Sequence, residues 1–347
     1  MDLSEQHHTK SKFETLAQLI EPILQQLADY DDADLIESML STILKLPKED
    51  VSRGDMKVLN VAIKELRYGF KTFAEYQDVP KVTFFGSART PEDTPEYRHA
   101  VEMSRRLADM GWMVITGAGD GIMKAGHVGA GEDKSFGLNI RLPFEQSANT
   151  VIAENEKLIN FKYFFTRKLF FLKESEGIVM FPGGFGTFDE AFESLTLIQT
   201  GKTVPVPVVF VDRPGGFYWS SLVGFVNDHM LGNKLISPQD LNLFLVTEDL
   251  DEAINYVTGF YRIYHSCRYV KQNLIFRLKQ AISDSTLAEL NRQFAHILAS
   301  GNIERCTALE EEWEEPSVAK LPRLKMHFNR HNFGDLQRFI HTLNKLG

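Results

Sequence analysis

Apolar residues recur at three-and-four spacing through the first 75 residues. They are Leu16, Leu19, Ile20, Ile23, Leu24 and Leu27, then Leu35, Ile36, Met39, Leu40, Ile43 and Leu44 before Pro47, then Met56, Leu59, Ile63, Leu66, Phe70 and Phe73. That spacing keeps one face of an α-helix apolar, so the segment reads as helices. From Lys81 the rhythm changes. Short β-rich runs, VTFF (82–85), MVIT (113–116), FGLNIRL (136–142), GIVMF (177–181) and VPVVFV (206–211), are separated by amphipathic stretches such as 97–110 and 163–174. Strands that are apolar on both faces need cover on both, which predicts a parallel sheet between two helical layers. After about Tyr261 the helical spacing returns in Leu287, Leu290, Phe294, Ile297 and Leu298, and again in Leu336, Phe339, Ile340 and Leu343. Leu324, Met326 and Phe328 alternate strictly and predict one short strand. The expected fold class is α/β, with a doubly wound parallel sheet over 80–260, a helical extension over 1–79 and a mainly helical one over 261–347.

Charge and cysteine usage narrow the function. A formal net charge of −9 and a pI near 5.6 argue against holding long nucleic acid by its phosphates, while leaving room for a small anion where cations gather locally. Cys267 and Cys306 are too few for a disulfide framework and lie in no metal-ligand spacing, so both are expected to be buried thiols in a reducing compartment. MDLSEQHHTK lacks the basic and apolar regions of a secretion signal, and no apolar run approaches the roughly 18 residues that span a bilayer. A cytoplasmic protein without a membrane partner is expected. The acidic run EEEWEEP (310–316) reads as a solvated loop.

Candidate chemistry sits where strands turn into helices, which is where open α/β sheets bind ligands. Three such turns carry glycines: FFGSAR (84–89) with Ser87, ITGAGDGIMKAG (115–126) with Gly117, Gly119 and Gly121, and FPGGFGTFDE (181–190) with Gly183, Gly184 and Gly186. In the last, a helix is expected to begin near Thr187. Glycines there allow positive φ and remove side chains that would keep an anion from the backbone N–H groups of a helix start. Established nucleotide motifs fail nearby. Ile122 stands where a dinucleotide fingerprint needs its third glycine, and Gly201-Lys202-Thr203 has Thr196 where a P-loop needs its first, so it reads as a helix C-terminus. There is neither HExxH nor GxSxG.

Four charged residues accompany the third turn. Glu190 and Glu193 follow Thr187 at three-residue steps and so share a helix face. They either serve a sugar or a developing cation, or simply favour the helix N-terminus. Arg167 and Lys168 interrupt the aromatic run YFFTRKLFF, and either snorkel to its surface or point into a ligand pocket.

Arg167-Lys168 followed by Pro182, Gly183, Gly184, Gly186, Thr187 and Glu190 resembles the RK and PGGxGTxxE signature of the LOG (Lonely Guy) family of phosphoribohydrolases, long labelled possible lysine decarboxylases. FGSAR, TGAGDGIMKAGHVGA and GLNIRLPFEQSAN are similar to further family segments, and the likeness covers roughly 80–260. Ala118, Asp120 and Lys124 depart from the family's usual glycine, proline and glutamate. The helical flanks make the longer bacterial nucleotide nucleosidases a nearer likeness than the short plant-type enzymes. The resemblance implies a Rossmann-like fold and hydrolysis of the N-glycosidic bond of nucleoside 5′-monophosphates, with Arg167 and Glu190 catalytic and the glycine turn on the phosphate. Ser87, Gly117, Gly119, Gly121, Lys168, Gly183, Gly184, Gly186, Thr187 and Glu193 are the expected substrate-binding residues. No metal or cofactor is expected, and a homodimer or higher homo-oligomer is. A pyridoxal-type decarboxylase would need a Schiff-base lysine with a ring partner, which nothing singles out. Two other readings remain open at this point: a non-catalytic nucleotide or phosphorylated-cofactor carrier, and a scaffold built on the helical flanks.

Overall fold

The computed structural model describes residues 21–22, 25–27, 29–142, 147–312 and 315–347. The expected helical face at Leu16, Leu19, Ile20, Ile23 and Leu24 lies outside them. The chain divides into two compact units, Met1–Lys64 and Glu65–Gly347. In the first, helix α1 (Ala33–Lys45) carries the predicted stripe and gives way at Pro47 to a single 3₁₀ turn, Leu46–Lys48. Helix α2 (Arg53–Ala74) carries the next stripe, and its residues from 65 onward belong to the second unit.

The second unit contains a seven-stranded sheet in the order β4-β3-β2-β1-β5-β6-β7. Its strands are β1 (Lys81–Phe85), β2 (Met113–Thr116), β3 (Ser135–Ile140), β4 (Leu158–Phe161), β5 (Gly177–Met180), β6 (Val208–Val211) and β7 (Phe244–Thr247). Every neighbouring pair is parallel. The fold is the expected Rossmann-like α/β sheet, two strands wider than the apolar runs predicted. β4 and β7 were missed because each is a four-residue edge strand with at most two buried residues.

Alternate side chains of β1 show why its run is unbroken. Val82 and Phe84 face the layer of helices α3 (Pro95–Asp109), α4 (Ile122–Ala130) and, further along the sheet, α8 (Leu250–Gly259). Phe85 faces the other layer, where Phe73 stacks on Phe136 at 4.4 Å, beside α5 (Phe164–Lys173) and α6 (Phe185–Gln199). α6 ends at Gln199 and Gly201 follows with φ +66°, so the Gly-Lys-Thr tripeptide is the helix C-terminus expected.

The region after 261 corrects the expectation of a mainly helical extension. β8 (Tyr264–Val270), β9 (Asn273–Leu278), β10 (Leu298–Cys306) and β11 (Arg323–Phe328) form an antiparallel sheet in the order β10-β11-β9-β8. Helices α9 (Asp284–Phe294) and α10 (Phe333–Leu346) pack on it around Phe276, Phe294 and Phe339. Only β11 alternates cleanly. β10 is mostly exposed and irregular in register, and such a strand leaves almost no period-two signal. The acidic run is also corrected. Glu312 is fully buried, accepting from Arg277 Nε at 2.9 Å and Arg323 Nε at 3.0 Å, so two arginines of this sheet neutralise it. Both cysteines are free and half-buried, and burial pushes the Cys267 thiol up to about 11.

Candidate active site

The three glycine turns meet at Ser87. Its N–H donates to the Pro182 carbonyl at 3.1 Å, its carbonyl accepts from Ile122 N–H at 3.0 Å, and its hydroxyl accepts from Arg89 N–H at 3.0 Å. Two of the glycines exist for this contact. A Cβ on Gly121, at φ +60°, would lie 2.2 Å from the Ser87 carbonyl oxygen, and one on Gly183 would lie 2.1 Å from Thr187 Oγ1 and 3.0 Å from Ser87 N. Tyr218, at the start of α7 (Tyr218–Phe225), steadies the third turn by donating its hydroxyl to the Gly183 carbonyl.

Beyond the turns lies a cavity of about 850 Å³ at the carboxyl ends of β1, β2 and β5. It takes in the predicted residues Ser87, Gly117, Gly119, Arg167, Gly184, Gly186, Thr187 and Glu190, while Gly121, Lys168, Gly183 and Glu193 do not line it. Gly184 and Gly186 face open space, so side chains there would project without clashing. α6 begins at Phe185, two residues earlier than expected. At that helix start the N–H groups of Phe185 and Gly186 take no acceptor among the described residues, which leaves two donors and the positive end of the helix dipole at the cavity.

The early start moves Glu190 out of the first turn, so it does not merely decorate a helix N-terminus. It is 7% exposed. Its Oε1 lies 4.0 Å from Arg167 Nη2 and its Oε2 3.4 Å from Lys168 Nζ. Burial pushes the Glu190 carboxyl above the ordinary glutamate range, against the opposing pull of Lys168 and Arg167. The RK pair divides its work. Arg167 lies in the cavity between the rings of Phe164 and Phe171, 5.1 and 5.4 Å from their centroids, and burial lowers its pKa against the pull of Glu190 and Asp189. Its Nε is buried without a hydrogen-bond partner among the described residues. Lys168 turns away to Asp189 at 2.8 Å and Glu193 at 2.5 Å. Burial works against its charge, but these carboxylates prevail and hold the ammonium above its ordinary range. Glu193 therefore anchors Lys168, and of the two carboxylates that line the cavity, Asp189 and Glu190, only Glu190 is buried. Lys124, one of the departures from the family pattern, pairs with Glu92 at 2.6 Å.

Sequence reasoning missed several residues around the site. Phe164, Phe185 and Phe188 give the cavity an aromatic wall, and Phe185 is 96% exposed. Asn139 also lines it and donates to Asn160 at 2.9 Å. Aromatic residues in an apolar helix and an asparagine near the end of a strand carry no signal of a ligand in one sequence. Among the described residues no cluster of three His, Cys, Asp or Glu could hold a metal, and no helix is long and apolar enough to cross a membrane.

Residues 120–257 match a family model described as "Possible lysine decarboxylase". Over 169 residues the chain is 25% identical to a cytokinin riboside 5′-monophosphate phosphoribohydrolase of Mycobacterium tuberculosis, covering 48% of this chain and 88% of that protein. The resemblance to the LOG family holds. Among solved structures, the molybdenum cofactor carrier protein of Chlamydomonas reinhardtii is similar at 21% identity, with 52% of this chain and 96% of that one covered and a TM-score of 0.36. The molybdenum cofactor binding protein of Rippkaea orientalis is similar at 18% identity, with 52% and 96% covered and a TM-score of 0.37. At such scores these two say nothing about the ligand of this chain. The LOG-type motifs, in contrast, converge here on one cavity.

Proposed function

We propose that the protein hydrolyses the N-glycosidic bond of nucleoside 5′-monophosphates, releasing the free base and ribose 5-phosphate. One observation carries this reading: buried Glu190 and half-buried Arg167 stand together at one cavity beside the open helix start at Gly184–Thr187. A protein that only carried a phosphorylated ligand would need the helix start but not a buried acid beside an arginine. The M. tuberculosis relative, named for this activity, supports the same class.

In the proposed reaction the 5′-phosphate takes the N–H groups of Phe185 and Gly186. Binding energy from this remote group holds the sugar over Glu190. As the C1′–N bond lengthens, positive charge grows on the ribosyl centre, and ionised Glu190 stabilises it. Water adds to C1′ through its oxygen. The electron pair of the broken bond leaves with the base, which takes up one proton, so base and ribose 5-phosphate account for substrate plus water. Arg167 stabilises the negative charge that collects on the departing side. Lys168, fixed by Asp189 and Glu193, keeps Glu190 ionised despite its burial.

The experiment is a panel of nucleoside monophosphates assayed for ribose 5-phosphate, with the matching nucleosides alongside. AMP-type substrates should be cleaved and adenosine-type ones left intact. Equal rates on both would refute the phosphate role, and tight binding of every nucleotide without turnover would favour a carrier.

A further inference from the structure

The second glycine turn adopts an unusual conformation. Ala118, fully buried, has φ +62°, a left-handed value that side chains with a Cβ rarely adopt. The turn also backs the site, since a Cβ on Gly117 would lie 3.8 Å from Arg167 Nη1 and both Gly117 and Gly119 line the cavity. Two residues that play no part in the proposed chemistry hold it. Asn149 donates from its backbone N–H to the Ala118 carbonyl at 2.8 Å, and from Nδ2 to the carbonyls of Ala118 at 3.0 Å and Gly119 at 2.9 Å. Thr116 Oγ1 accepts from Ala118 N–H at 3.0 Å.

What keeps the NH₂ end of Asn149 on those carbonyls is His127, buried completely between β2 and β3. Its Nε2 lies 3.0 Å from the Phe136 carbonyl, which can only accept, so Nε2 carries the hydrogen. Burial depresses the imidazole pKa and keeps the ring neutral, so Nδ1 is an acceptor and takes a hydrogen from Asn149 Nδ2 at 3.1 Å. The two hydrogens of Nδ2 thus serve three acceptors, one hydrogen going to His127 Nδ1 and the other shared between the carbonyls of Ala118 and Gly119. Asn149 Oδ1 accepts from the Val151 N–H at 3.3 Å and lies 3.3 Å from His127 Nδ1, farther than Nδ2 does.

We propose that Asn149 and His127 are positioning residues of the active site: Asn149 clamps the left-handed turn at Ala118, and His127 orients the Asn149 amide, so that the Gly117–Gly119 backbone is held against Arg167. The effect on turnover rests on the function proposed above; the clamp itself does not.

Hydrogen exchange on the full chain tests the clamp directly. The reporters are the amides of Ala118 and Ile122, bonded to Thr116 Oγ1 and to the Ser87 carbonyl. In Asn149→Ala both should exchange at least tenfold faster, while amides of β5 keep their wild-type rates. Asn149→Asp, which keeps the shape but has no N–H for the two carbonyls, is read in the same way should the alanine variant not fold. His127→Leu, which removes the acceptor, should speed the same two amides, and His127→Gln should restore part of their protection. On AMP, kcat should fall about tenfold in the folded asparagine variants, a loss that a merely structural role, visible only in Tm, does not produce. Unchanged exchange at Ala118 and Ile122 overturns the proposal, as does faster exchange with unchanged kcat in an active enzyme. Absence of nucleotide hydrolysis by the wild type would sink the proposed function alone, since the exchange arm still decides the clamp.

Discussion

Glu190 and Arg167 are unfavourable residues to bury together unless their charges are used, because neither makes a close ion pair with the other at 4.0 Å. Glu190→Gln and Arg167→Ala should each leave the fold intact and lower kcat by about 10²- to 10³-fold, or roughly 2.7–4 kcal/mol, the usual cost of losing one electrostatic stabiliser. Near wild-type turnover in either purified, folded variant removes that residue from the mechanism. The acid limb of the pH profile offers a second test. Burial raises the Glu190 pKa and Lys168 is the strongest group opposing the rise. Removing the ammonium in Lys168→Met therefore lifts the pKa further, and the acid limb of kcat/KM should move to higher pH. A limb that stays put or moves down would show that another group titrates there.

At the level of elements, the turns explain why so much glycine gathers at three strand ends. Gly121 and Gly183 allow the turns to touch at Ser87, whereas Gly184 and Gly186 leave the helix start open. Counting glycines predicts both uses alike, because a tight turn and an anion site ask for the same residue. The acidic run shows the opposite failure. All five of its glutamates look solvated in one dimension, yet Glu312 is held between arginines from β9 and β11, Arg277 and Arg323, which lie 35 and 11 residues away in the chain. Glu312→Gln leaves buried arginine charge without its counter-ion and should destabilise the protein by about 3–5 kcal/mol. Urea denaturation checks this, and a loss below about 1 kcal/mol would mean that water or Glu315 already compensates.

For the molecule as a whole, the outstanding expectation is self-association. Helix α5 exposes Phe164, Phe165 and Leu169 beside the cavity, and α1 exposes Leu35, Met39 and Ile43. Faces of this kind are commonly covered by a second copy about a two-fold axis. Light scattering at micromolar concentration should give about twice or four times the chain mass of 39.5 kDa, and a mass near 39.5 kDa would refute the expectation. Periodicity and composition by themselves determined the α/β class, the buried parallel strands, the helical stripes of α1, α2 and α10 and the three turns, because each is a local pattern that survives in one dimension. The RK and PGGxGTxxE motifs also marked Arg167 and Glu190. Tertiary structure alone decided the rest. It paired Lys168 with Asp189 and Glu193 while Arg167 entered the cavity, built an antiparallel sheet from strands too exposed or irregular to alternate, and brought His127 and Asn149 to a turn as far as 31 residues from Asn149 in sequence. Such outcomes depend on which distant groups share a buried volume and must satisfy one another there, and no spacing along the chain encodes that.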